Sequence, residues 1–158
     1  TLSDEYGDVN FYPLPYFHPN DINNMFLEGA PPEEVNSLNK TFDQAFKMVI
    51  DHNLPLINFS ERNILITHGF FGYFNSSWNT FDDQIISESE LSVGGMDIID
   101  LSPAKEFDYI ALGHLHSPQK VGRDLSRYAG SLLKYSVDEA KQNKSNVVID
   151  VKEKGKKV

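Results

Sequence analysis

Two histidines stand one residue apart in "ALGHLHSPQ", Ala111 to Gln119, directly after an apolar run and a glycine. A third, His68, closes the run "NILITHG". Imidazole titrates near neutrality and is a common metal ligand, well suited to manganese, iron or zinc. The chain has five histidines and no cysteine, so a thiolate metal site or a thiol nucleophile is excluded. Taken alone, His114 and His116 equally describe two surface histidines in a turn, and His68 a capped strand end or a core histidine bonded to a carbonyl. In a regular strand the pair would point to one face. On a loop the two rings can diverge enough to reach two metals about 3.5–4 Å apart, and Gly113 lets the backbone turn close to them. His18 precedes a proline and His52 ends a helical pattern, where a cation suits the helix dipole; neither belongs to a motif.

The elements that must position these rings follow from periodicity. "NILIT" and "DYIAL" are short apolar runs of the buried-strand kind, and each delivers histidine at its carboxyl end. In sheets built from strand-helix units, ligands bind beyond the carboxyl ends of the strands, so His68, His114 and His116 are expected to converge on one sheet edge. "PPEEVNSLNKTFDQAFKMVIDHN" opens with prolines and acids and carries Val35, Leu38, Phe42, Ala45, Phe46, Val49 and Ile50 at helical spacing, which predicts a helix. Asn10 to Phe17 reads as an edge or irregular strand because of Pro13 and Pro15, followed by a turn at "HPND". Ser102 and Pro103 predict the cap and first residue of a short helix. "RYAGSLLKYS" and "NVVIDVKEKG" read as closing strands joined by a polar turn near "DEAKQNKS". From His68 to about Met96 the sequence lacks periodicity and has an acidic centre at Asp82, Asp83, Glu88 and Glu90, which suggests a surface excursion.

At 158 residues the chain fits one α/β domain. It contains no apolar stretch near the roughly 20 residues of a membrane span, no signal-peptide pattern and no disulfide framework, which sets the cytoplasm as the default expectation. The Asn-x-Ser/Thr triplets at Asn39, Asn58, Asn75 and Asn143 carry no weight without a secretory signal. The net charge of −9 argues against a protein that grips phosphate backbones along its whole length. Charge is uneven, however: Pro118 to Val158 holds ten Lys or Arg against five Asp or Glu, the preceding part four against eighteen. Such asymmetry can orient an anionic partner toward one end, with Lys120, Arg123 and Arg127 the first candidates.

"THGFF", "VGGMDIID", "FDYIALGHLHSPQ" and "RYAGSLLKYSVDEA" occur in that order and together resemble the later half of the nuclease domain of the SbcD-like nucleases, within the calcineurin-like metallophosphoesterase superfamily. The resemblance covers nearly the whole chain. It implies the second sheet of a four-layer α/β/β/α sandwich and two divalent metal ions, manganese in most cases, that activate water against a phosphodiester. Carried over by position, His68 and His114 would bind the second metal and His116 the first. The implied partners are DNA, cut at ends and hairpins by exonuclease and endonuclease activity, and an SbcC-type ATPase subunit.

The family's Asp-x-His, Gly-Asp-x-x-Asp and Gly-Asn-His-Asp motifs are absent from these residues. They supply the bridging aspartate, an asparagine ligand and the histidine that protonates the leaving group. The chain is therefore expected to be the carboxyl-terminal portion of the domain, 1–158 without the cap domain that follows in the family. It holds half an active site, is inactive alone, and is prone to self-association or to pairing with the missing amino-terminal half. Two rival readings are a phosphatase or cyclic-nucleotide phosphodiesterase of the same superfamily, and a non-catalytic scaffold remnant of the fold. Hydrolysis of duplex DNA against a small phosphate ester separates the first.

Overall fold

A computed structural model describes residues 1–26, 41–73 and 97–156. The architecture is mixed α/β. β1 (Leu2–Asp4), β2 (Gly7–Leu14), β3 (Arg62–His68), β6 (Tyr109–Gly113), β7 (Gln119–Val121) and β8 (Arg123–Tyr128) form one sheet in the order β1-β2-β3-β6-β8-β7. β2, β3, β6 and β8 run parallel, and β1 and β7 close the two edges antiparallel. β4 (Phe71–Gly72) and β5 (Ile99–Asp100) make a separate parallel pair. Two helices are described, α1 (Pro19–Phe26) and α2 (Phe42–Asn53).

Alternation along the strands divides the core. Leu65, Ile110, Leu112 and Tyr128 face one side and pack with Phe46 and Ile50 of α2, with Phe71 and Ile99 completing that layer. Val9, Ile64 and Tyr109 face the other side, where Ile149 and Val151 pack against them. The runs "NILIT" and "DYIAL" are thus covered on both faces over most of their length, Ile66 alone among them remaining exposed, which is why they lack polar alternation.

Several elements differ from the sequence reading. The strand expected at Asn10–Phe17 is β2, second in the sheet; it pairs with β1 only over Gly7–Val9, so from Asn10 onward its only partner is β3. Pro13 is tolerated because one side of the strand needs no ladder bond there. The "HPND" segment starts α1, with the backbone N–H of His18 donating to the Asp21 carboxylate at 3.2 Å. The long helix instead begins at Phe42. Thr41 is its N-cap, extended at φ −123° and ψ 155°, its hydroxyl accepting from the Gln44 N–H at 3.2 Å. Residues 31–40 of the expected helix lie outside the described residues, as do Asp82, Asp83, Glu88 and Glu90.

Ser102 is not a helix cap. Leu101 stands at the N-cap without a side-chain cap bond, Asp100 accepts from the N–H and hydroxyl of Ser102 at 3.1 and 2.8 Å, and Ser102–Ala104 is a single 3₁₀ turn. The closing strand expected at "RYAGSLLKYS" ends at Tyr128, because Gly130 turns the chain with φ +79° against Pro118. No strand is assigned in "NVVIDVKEKG". Its inward residues Ile149 and Val151 lie across the sheet face through their side chains, and the Arg62 guanidinium donates to the Val151 carbonyl at 3.1 Å.

Candidate metal centre

β3 and β6 are neighbours in register, with His68 opposite Gly113 and His114 next in the chain. The absence of a side chain at Gly113 is what lets the His68 ring lie there: a Cβ would stand 2.8 Å from His68 Nδ1. His68 and His114 meet edge to face, their ring centroids 5.5 Å apart. Tyr16 packs on His68 from the end of β2 at 6.3 Å, and Phe70 lies 6.3 Å from His114. Burial among these rings lowers the His68 pKa, which favours the neutral form that can donate a lone pair.

His114 is the only described non-glycine residue with positive φ, at 125°. A β-carbon is uncomfortable in that region, and a strained backbone of this kind costs on the order of 1–3 kcal/mol. The turn holds the ring beside His68 where a regular strand would have carried it to the opposite face.

His116 takes a different direction. Its Nδ1 lies 2.8 Å from a carboxylate oxygen of Glu139, and its ring is 5.6 Å from that of Tyr135. Glu139 is fully buried, and its second oxygen accepts from the Lys144 ammonium at 2.7 Å. Lys144 first and His116 second hold the Glu139 pKa down to about 2. The sequence reading missed this residue altogether. "DEAKQNKS" shows only a polar turn, and 23 residues separate Glu139 from the histidine it meets.

The structure therefore brings His68 and His114 together at the carboxyl edge and places His116 against the 3₁₀ turn Asp138–Lys141. His18 packs on Phe42 and His52 on Phe26. Among the described residues, no three His, Asp or Glu side chains surround a single ion position. The donor set fits part of a metal site: a pair of adjacent imidazoles, and a third imidazole whose Nδ1 is engaged by a carboxylate, the usual support of a ligating histidine.

Two of the basic residues singled out in the later part, Arg123 and Lys120, have partners within the chain. Arg123 donates to the carbonyls of Lys105 and Phe107, both at 2.9 Å, and Lys120 pairs with Asp124 at 3.2 Å. No described helix is long and apolar enough to cross a membrane.

A parallel α/β sheet with paired histidines at its carboxyl edge is the class this fold and site define. No protein-family model matches the chain. The resemblance to the SbcD-like nucleases holds against curated proteins. The chain is similar to the SbcD component of the nuclease SbcCD from Staphylococcus epidermidis, with 29% identity over 149 residues, 93% of this chain and 35% of that protein. It is also similar to the SbcD component from Staphylococcus saprophyticus, with 30% identity over 148 residues, 92% of this chain and again 35% of the relative. The chain thus spans about a third of the length of these relatives.

Proposed function

We propose that this chain supplies the histidine side of a two-metal phosphodiesterase site in an SbcD-type DNA nuclease. The observation that carries the reading is the meeting of His68 and His114, 5.5 Å apart, at the carboxyl ends of adjacent parallel strands. His68 and His114 would hold one divalent ion and His116 the other. When bound, two such ions, manganese by resemblance, supply hydroxide at neutral pH and offset charge on the scissile phosphate. The residues present do the holding: Gly113 admits the His68 ring, the His114 turn aims the second ring at it, and Glu139 engages the third.

No counterpart of the family's bridging aspartate or leaving-group acid stands in these residues, so the chain alone is expected to be inactive. The first sheet of an α/β/β/α sandwich would lie on the face opposite α2, where Phe11 and Ile66 remain 40% and 43% exposed. That face also suits self-association. The relatives' names support a nuclease that works as one subunit of an SbcCD complex; DNA ends and hairpins, and an SbcC-type ATPase, are proposed as the whole protein's partners from the motif resemblance.

The test compares manganese-dependent cleavage of a labelled duplex by the full-length protein, its His114→Ala variant and the 158-residue chain. Cleavage is expected from the unchanged full-length protein only. Undiminished cleavage by His114→Ala, or His114-dependent cleavage by the short chain, overturns the reading.

A further inference from the structure

Apart from the Arg62 and Asp4 pair at the far end of the sheet, the described residues bury one strongly charged cluster, and it is built around His116. Glu139 is fully buried and Lys144 is 10% exposed. One Glu139 oxygen lies 2.8 Å from His116 Nδ1 and accepts from the Ser136 hydroxyl at 3.2 Å. The other accepts from Lys144 at 2.7 Å and from the Tyr135 N–H at 3.3 Å. Lys144 also donates to the His116 carbonyl at 2.8 Å and to the Ser131 hydroxyl at 2.9 Å. A single ion pair thus grips the ring of His116 on one side and its backbone on the other.

We propose that Glu139 and Lys144 are positioning residues that lock His116 in the tautomer with the proton on Nδ1. The inference rests on the reading of His116 as a metal ligand. A carboxylate can only accept, so the ring nitrogen 2.8 Å from it must donate. In a neutral imidazole the lone pair then belongs to Nε2, the nitrogen a divalent ion would take. Lys144 keeps the arrangement in one sense. With an ammonium against its second oxygen, Glu139 stays an acceptor and has no cause to rotate. Burying two charges is costly unless they are paired and fully bonded, and here every oxygen and the ammonium find several partners. A mere structural brace would hold the segment in place equally well with the ring in either tautomer; the direction of the proton is the added content.

The chemistry of the amide makes the test sharp. In Glu139→Gln the side chain turns its oxygen to the Lys144 ammonium, which requires an acceptor, and its NH₂ to His116 Nδ1. That forces Nδ1 to accept and moves the ring proton to Nε2. Adding Lys144→Met removes the ammonium, so the amide oxygen can face the ring again and the original tautomer returns. Long-range proton–nitrogen NMR correlations of the imidazole rings, recorded on the 158-residue chain where the rings are neutral, read the tautomer directly. Manganese alone is then titrated into the full-length protein, which carries the other half of the proposed site, and the broadening of the His116 signals followed.

The expected results are Nδ1–H in the unchanged chain, Nε2–H in Glu139→Gln with manganese occupancy at His116 weakened about 10–100-fold, and recovery of both in the double variant. Nε2–H in the unchanged chain overturns the inference, as does an unmoved tautomer in a folded Glu139→Gln. If Glu139→Gln does not fold, the tautomer of the unchanged chain decides. Nδ1–H without any manganese effect supports the positioning and counts against the metal reading instead.

Discussion

Gly113 and His68 face each other across the β3–β6 ladder with no room between them for a methyl group. φ at Gly113 is not in the left-handed region, so an alanine there is not opposed by the backbone. The obstacle is the His68 ring, 2.8 Å from where the Cβ would stand. Gly113→Ala is therefore expected to fold, with stability within about 2 kcal/mol of the parent, since overpacking costs about 1–3 kcal/mol and removing a strand glycine returns about 0.5–1. What it should lose is the edge-to-face contact of His68 with His114. Nuclear Overhauser contacts between the two rings measure that, and their survival would show that the ring has space elsewhere. At this scale the sequence was informative where chemistry sat in a local pattern. The strand-then-histidine repeat exposes His68 and His114, and the glycine between strand and histidine is explained by the ring it admits. The positive φ of His114 and the burial of Glu139 left no local trace, because both are set by partners distant in sequence.

Tyr128 shows how one strand fixes the turn that follows another. It ends β8, is fully buried, donates its hydroxyl to the Gly69 carbonyl at 3.0 Å and accepts from the Phe71 N–H at 2.7 Å. The chain just beyond His68 is thus pinned from two strands away. Tyr128→Phe keeps the ring but removes both bonds from a buried site, at a cost of about 1–3 kcal/mol. Denaturant unfolding should show that loss, together with faster amide exchange at Phe71; unchanged exchange there would mean the turn is held by other means. The central strands were legible because their apolar residues face both sides of the sheet and are buried over most of their length. The tail "NVVIDVKEKG" was misread because its in-and-out alternation matches a strand, whereas its backbone joins no ladder and Ile149 and Val151 pack on the sheet through their side chains. Apolar spacing runs through Thr41, but α2 begins at Phe42, where the Thr41 hydroxyl caps its first turn; the earlier part of the expected helix lies outside the described residues.

Across the whole molecule, the segment after β8 is held to the sheet by ion pairs and a few apolar contacts in place of a ladder. Glu139, with Lys144, ties the segment after β8 to His116. Arg62 donates to the tail at Val151 and Lys152 while gripping Asp4 at 2.6 and 2.9 Å. Both carboxylates have depressed pKa values, Glu139 to about 2 through Lys144 and His116, Asp4 through Arg62. A depressed folded-state pKa means the unfolded chain binds the proton first as the pH drops. The stability Glu139 contributes is complete above its ordinary value of 4.5 and disappears as pH falls from there toward about 2; that of Asp4 is lost as pH falls below its ordinary value of 3.8. The lowered pKa of His68 works in the same direction but begins below 6.5, where the unfolded ring is protonated first, and it acts at the carboxyl edge of β3. Amide exchange at Gln142, which donates to the Glu139 carbonyl, and at Ser131, which donates to the His116 carbonyl, should therefore accelerate between about pH 4.5 and 2. The amides of Leu65 and Ile110, inside the parallel ladder, should hold protection to lower pH. Simultaneous loss at all four amides would show that the tail and the sheet unfold as one unit.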